Sequence, residues 1–121
     1  MQEKLVSFKT AKAARDKGFS TIFTSYSNVY YEKNGDLTRS QYNSQIGYFQ
    51  IEAPTQSLLQ KWLREYKNIH IAVIPKKKDK GFFFEGLIVG DDVNISIGSN
   101  FTDYEECLEQ CLLKALKQYT I

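Results

Sequence analysis

The stretch Pro54-Thr55-Gln56-Ser57-Leu58-Leu59-Gln60-Lys61-Trp62-Leu63-Arg64-Glu65-Tyr66-Lys67-Asn68-Ile69-His70-Ile71-Ala72-Val73-Ile74 decides the fold, because its hydrophobic period changes partway along. Leu58, Leu59, Trp62, Leu63 and Tyr66 recur at three- and four-residue intervals, which puts them on one face of a helix over about Gln56 to Tyr66. Thr55 can cap that helix, since its hydroxyl accepts from a free N–H of the first turn, and Asn68 is a natural stop. Beyond it, Ile69, Ile71 and Val73 alternate with His70, Ala72 and Ile74. A two-residue period in β-branched side chains reads as a strand.

Toward the C-terminus the strand pattern repeats. Lys76 to Gly81 is polar, contains a glycine and separates two apolar runs, as a hairpin turn does. Gly81 to Val89 reads as a second strand. Val93, Ile95 and Ile97 alternate with Asn94, Ser96 and Gly98 in a third, reached through a turn at Gly90-Asp91-Asp92. The last element is a helix. Thr102 followed by Glu105 has capping-box spacing, and Tyr104, Cys107, Leu108, Cys111, Leu112, Ala115, Leu116 and Tyr119 form an apolar stripe. Asp103, Glu105, Glu106 and Glu109 load its first half, and Lys114 and Lys117 its second, both complementing the helix dipole.

Toward the N-terminus, Ser7 reads as the cap of a short helix from Phe8 to Lys17, with Gly18 ending it. Thr24 to Lys33 is rich in Tyr, Thr, Ser and Val and reads as a strand. Asp36 to Tyr42 is its return, and Asn34-Gly35 suggests a type I′ turn between them. Gln45 to Ala53 is apolar and aromatic and extends that hairpin or lies across it. The predicted fold class is α+β, one domain over residues 1–121. The order is α-β-β-α-β-β-β-α, with an antiparallel sheet and helices packed on one face.

Composition sets limits on function. The 121 residues are 42% hydrophobic and 14% aromatic, which suits a packed core and not a disordered chain. The net charge of +2 falls short of a dedicated nucleic-acid domain. Its distribution is uneven: residues 61–80 hold seven Lys/Arg against two acids, and residues 81–121 hold two Lys against seven acids. No apolar run reaches the ~20 residues of a membrane span, and the start Met1-Gln2-Glu3-Lys4-Leu5-Val6 lacks the apolar core of a secretory signal. Cys107 and Cys111 lie four apart on a helix, where Cβ atoms are roughly 5–6 Å apart, too far for an unstrained disulfide. These features predict a cytoplasmic location with reduced thiols and no membrane partner.

Three stretches carry a resemblance. They are Ser7 to Phe19, Ala53 to Glu65 continuing through Asn68-Ile69-His70-Ile71, and Tyr104 to Leu108 running on to Leu113-Lys114-Ala115-Leu116. In that order they resemble a group of short proteins of unknown function from gut bacteria and their phages. The resemblance implies a small domain carried on mobile DNA. It implies no activity and assigns no residue a role.

The chemistry-bearing residues favour plain readings. His70 is the only histidine and sits in a strand with no nucleophile or carboxylate beside it in sequence, so it reads as a solvent-facing or hydrogen-bonded strand residue. Cys107, Cys111 and His70 make three soft ligands at most, and both thiols lie on the apolar helix face, so core packing is favoured over zinc. No phosphate loop or serine elbow is present. Asp91-Asp92 reads as turn-forming. No catalytic, cofactor or metal site is predicted, and the chain is read as not an enzyme.

Two surfaces remain. Lys76, Lys77, Lys78 and Lys80, followed by Phe82, combine positive charge with an aromatic ring, as a nucleic-acid contact does. Lysines of this kind also guard strand edges. Tyr26, Tyr30, Tyr31, Tyr42 and Tyr48 are a candidate protein interface, because tyrosine brings large contact area at low entropy cost. The leading expectation is a phage- or mobile-element-type accessory protein that binds another protein. A nucleic-acid-binding module is the alternative.

Overall fold

The computed structural model describes residues 4–19, 29–39 and 51–120. Its helices are α1 (Phe8–Asp16), α2 (Gln56–Tyr66) and α3 (Tyr104–Gln118). Its strands are β1 (Val29–Tyr31), β2 (Leu37–Arg39), β3 (Ile51–Glu52), β4 (His70–Lys78), β5 (Gly81–Val89) and β6 (Asn94–Phe101). The α+β class and the element order agree with the sequence reading, with the short β3 added before α2. The strands form two antiparallel sheets, ordered β2-β1-β3 and β4-β5-β6.

Local chemistry explains the helix boundaries. The Ser7 hydroxyl accepts from the Thr10 N–H at 3.2 Å, and the Thr55 hydroxyl accepts from the Leu58 N–H at 3.2 Å, so both predicted caps are in place. Helix α1 ends in a Schellman motif. The Phe19 N–H reaches the Ala14 carbonyl and the Gly18 N–H reaches that of Arg15, with Gly18 at φ +97°. Asn68 ends α2 at φ +54°, and its side-chain amide donates to Asp91 at 2.8 Å. At α3 the cap is Asp103, which accepts from the Glu105 N–H at 3.2 Å, and not Thr102. A carboxylate serves there as well as a hydroxyl, and it adds favourable charge at the dipole's positive end.

The hairpin turns differ from expectation in one detail. At Asn34-Gly35 only Gly35 has positive φ, at +93°. The Gly35 N–H bonds the Glu32 carbonyl and the Glu32 N–H bonds that of Asp36. This is a type I turn followed by a glycine bulge, in place of type I′. The Asn34 side chain holds it, accepting from the Asp36 N–H at 3.0 Å. At the other hairpin the strands run further than the sequence suggests, leaving a two-residue loop at Asp79-Lys80 between the paired Lys78 and Gly81.

The core lies between α3 and one face of β4-β5-β6, closed by α1 and α2. Leu59, Leu63, Ile88, Leu112 and Leu116 are fully buried in it, with Trp62 at 2% exposure. Phe19 meets the Trp62 ring edge-on at 5.4 Å, and Lys67 Nζ lies 5.4 Å from the centre of that ring. Among the described residues the Trp62 indole N–H has no acceptor. No helix among them is long and apolar enough to cross a membrane.

Candidate functional site

Strands β4 and β5 pair over nine rungs, from His70 opposite Val89 to Lys78 opposite Gly81. The pairing of β5 with β6 stops where Phe84 faces Phe101. The segment Lys76 to Phe83 therefore extends beyond the third strand as a two-stranded projection. Its residues alternate between two faces. On one face Lys76 pairs with Glu85 at 3.1 Å, and Lys78 Nζ sits 5.0 Å above the Phe83 ring. The hydrogen bond from Lys76, and another from the Ser96 hydroxyl, pull the Glu85 carboxyl below the usual range. On the other face Lys77 stands opposite Phe82, which is 60% exposed, and Lys80 occupies the turn. Neither Lys77 nor Lys80 has an ion pair among the described residues.

The predicted lysine cluster with Phe82 is thus brought together at one tip. The positive run of residues 61–80 is not one surface, however. Lys61, Arg64 and Lys67 belong to α2 and its cap, at the far end of the nine-residue β4. Roughly 25 Å of strand separates them from the tip.

The tyrosine surface needs correction. Tyr30 and Tyr31 are 7% and 8% exposed, so they are part of the folded body and offer no exposed face. The Tyr31 hydroxyl donates to the Val6 carbonyl, and its ring leans on Phe8 at 5.4 Å. Burial, and then the nearby charge of Glu109, push its pKa up. Adjacent strand residues point to opposite faces, so burial of both means that β1 is covered on both sides at this point. Tyr26, Tyr42 and Tyr48 lie outside the described residues.

The reactive side chains are placed as the pattern suggests. His70 is exposed at the start of β4, between the buried Ile69 and Ile71. Cys107 and Cys111 are free and buried under β5. Burial raises both thiols, and with the neighbouring Cys107 it takes Cys111 up to about 12, so neither is a ready nucleophile or ligand at neutral pH. No group of metal-ligating side chains converges among the described residues.

Glu109 was missed. Its place among the acids of the first half of α3 suggests a solvent-facing side chain, yet it is 8% exposed. One carboxylate oxygen accepts the Ser7 backbone N–H at 3.0 Å and the Thr10 hydroxyl. The other accepts the Gln56 amide at 3.0 Å, and that amide also donates to the Glu105 carbonyl at 2.9 Å. The carboxylate thus joins the N-terminal ends of α1 and α2 to α3. A single clue was available: Glu109 follows Leu108 on the border of the apolar stripe.

Compared with known proteins, the chain matches no family model, no curated protein and no solved structure.

Proposed function

We propose that this protein works by binding another protein, without catalysis, as an accessory protein of a phage or mobile element. The observation that carries the reading is the β4–β5 hairpin. It projects past β6 and presents Phe82 at 60% exposure on a paired two-stranded ribbon. A large aromatic side chain held out on an ordered element loses little entropy on burial, which is what an interface anchor requires. The chemistry-bearing groups support the same reading, since Cys107, Cys111 and Glu109 are consumed in holding the fold. Light scattering on a sizing column, with a pull-down from bacterial lysate, tests it. A retained partner that is lost with Phe82→Ser is expected; a strict monomer that captures nothing refutes it.

A second reading has its own support in the pairing of Lys77 with Phe82 on one face of the tip. A cation beside an exposed ring suits single-stranded nucleic acid, with charge for phosphate and a face for a base. Binding would then fall steeply with salt and weaken for all sequences alike when Lys76, Lys77, Lys78 and Lys80 become alanine. A gel shift at low salt that shows no binding to DNA or RNA ends this reading.

A further inference from the structure

A second surface lies away from the hairpin, where α1 runs beside α3. Phe8, Lys9, Lys12, Ala13, Asp16 and Lys17 form one side of α1, and with Leu116 and Lys117 of α3 they line a groove of about 480 Å³. On the other flank of α3 a neighbouring groove of about 500 Å³ has Ile97, Phe101 and Leu113 for its apolar part. Lys9 and Lys117 line both grooves, and Lys114 lines the second. The rims therefore hold Lys9, Lys12, Lys17, Lys114 and Lys117 against two acids, Asp16 and Glu106. Asp16 already faces Arg15 at 3.7 Å, whereas none of the five lysines has an ion pair among the described residues.

We propose that these paired grooves are a docking site for an acidic amphipathic helix of a partner protein. The inference rests on the reading of this chain as a protein-binding protein, but not on the hairpin tip. Helices α1 and α3 have their backbone groups paired internally, so recognition must run through side chains. An apolar trough between charged rims is matched by a helix with apolar residues at i, i+3, i+4 and i+7 and acids on its flanks. The charge complementarity selects acids over bases. A nucleic-acid backbone could use the lysines but would leave the partly exposed Ile97 and Leu113 of the second groove uncovered. Phe8 itself is covered by Lys12 Nζ at 5.4 Å and leans on Tyr31. A membrane surface requires apolar side chains that stand proud, whereas here Ala13 and Leu116 are buried and Ile97, Phe101 and Leu113 only partly exposed.

The test uses the full chain and a labelled synthetic peptide of about 15 residues, long enough for helix formation on binding. It carries Leu at helical spacing and Glu elsewhere, and a peptide of the same composition in scrambled order is the control. Fluorescence anisotropy should show the amphipathic peptide binding about ten-fold or more tightly than the scrambled one. The exposed-site variant Lys9→Glu/Lys12→Glu/Lys117→Glu should lose about ten-fold or more. The milder Lys9→Gln/Lys12→Gln/Lys117→Gln should lose less, while Phe82→Ser should bind as the parent chain does. Circular dichroism verifies that each variant is folded. Equal binding of the two peptides, or no response to charge reversal, overturns the proposal. So does binding of a single-stranded oligonucleotide or of anionic phospholipid vesicles in place of the peptide. If the peptide does not bind, and a parallel pull-down yields a partner that is lost with Phe82→Ser but held by the charge-reversed chain, the groove is refuted and the protein-binding reading stands. Capture by neither the parent nor the charge-reversed chain refutes that reading as well.

Discussion

Replacing Gly86 by alanine should destabilise the protein, although adding a methyl to a strand glycine normally helps. Gly86 lies buried in the middle of β5, beneath α3. A Cβ there would come 2.4 Å from Cys111 Sγ, 3.0 Å from Ile97 Cγ1 and 3.1 Å from Cys107 Sγ. Ordinary contact begins at 3.4 Å, so the methyl would overlap the Cys111 sulfur by about 1.0 Å. Removing glycine's backbone freedom would by itself contribute about 0.5–1 kcal/mol of stability. Overpacking a close-packed core costs about 1–3 kcal/mol, and with two further tight contacts the upper part of that range applies. The net loss should be about 1–2 kcal/mol, which corresponds to several degrees in Tm at this chain length. Urea unfolding followed by the emission of Trp62, the only tryptophan, measures it. Cys111→Ala alone should cost about 1 kcal/mol, for the lost sulfur and the space it leaves. In the double variant the new methyl enters that space, so it should be no less stable than Cys111→Ala alone. A coupling of about 1–2 kcal/mol is expected. If the two losses simply add, or if Gly86→Ala melts like the parent, the close approach of α3 to β5 does not set this residue's identity.

Glu109→Ala should cost about 2–4 kcal/mol, because it leaves the Ser7 N–H, the Thr10 hydroxyl and the Gln56 amide short of an acceptor. Glu109→Gln should cost about half as much, since its amide oxygen can face only one of the two donor groups; a loss under about 0.5 kcal/mol for Glu109→Ala in the same urea assay contradicts the junction. The thiols set a pH dependence: they hold their protons more tightly folded than unfolded, where the pKa is about 8.5. Their contribution is complete below about 8.5 and is lost as pH rises toward about 12, at about 1 kcal/mol per unit for Cys111. Tyr31, also raised by burial, acts in the same direction from about pH 10 upward. Melts of the parent chain and Cys111→Ala between about pH 8 and pH 10 should converge, and parallel curves contradict the assignment. At about pH 8 a thiol reagent should label the cysteines quickly only in urea.

Local rules account for what could be read in advance. Helices α1 and α2 were legible to within a residue because their signals are short-range: a hydroxyl that caps, a period of 3.6, a glycine or asparagine that tolerates positive φ. At Asn34-Gly35 the dipeptide reveals a turn but not its type, since type I with a bulge and type I′ share a glycine and differ in the conformation of Asn34. The lysine tip was legible because its residues are consecutive along a hairpin. Tyr30 and Tyr31 were misplaced for the opposite reason. Composition cannot say whether neighbouring elements cover both faces of a strand.

The sequence alone determined the α+β class, the helices, the β4-β5-β6 meander and the place of the two cysteines on the apolar face of α3. All of these depend on contacts between residues close in the chain. Tertiary structure alone decided the division of the strands into two sheets, the burial of Glu109 at the junction of three helices and the close fit of Gly86 beneath Cys111. It also assembled the lysines of α1 and the end of α3 around shared grooves, from residues about 100 positions apart. Each of these joins side chains far apart in sequence, and no local period or motif encodes which distant surfaces will meet.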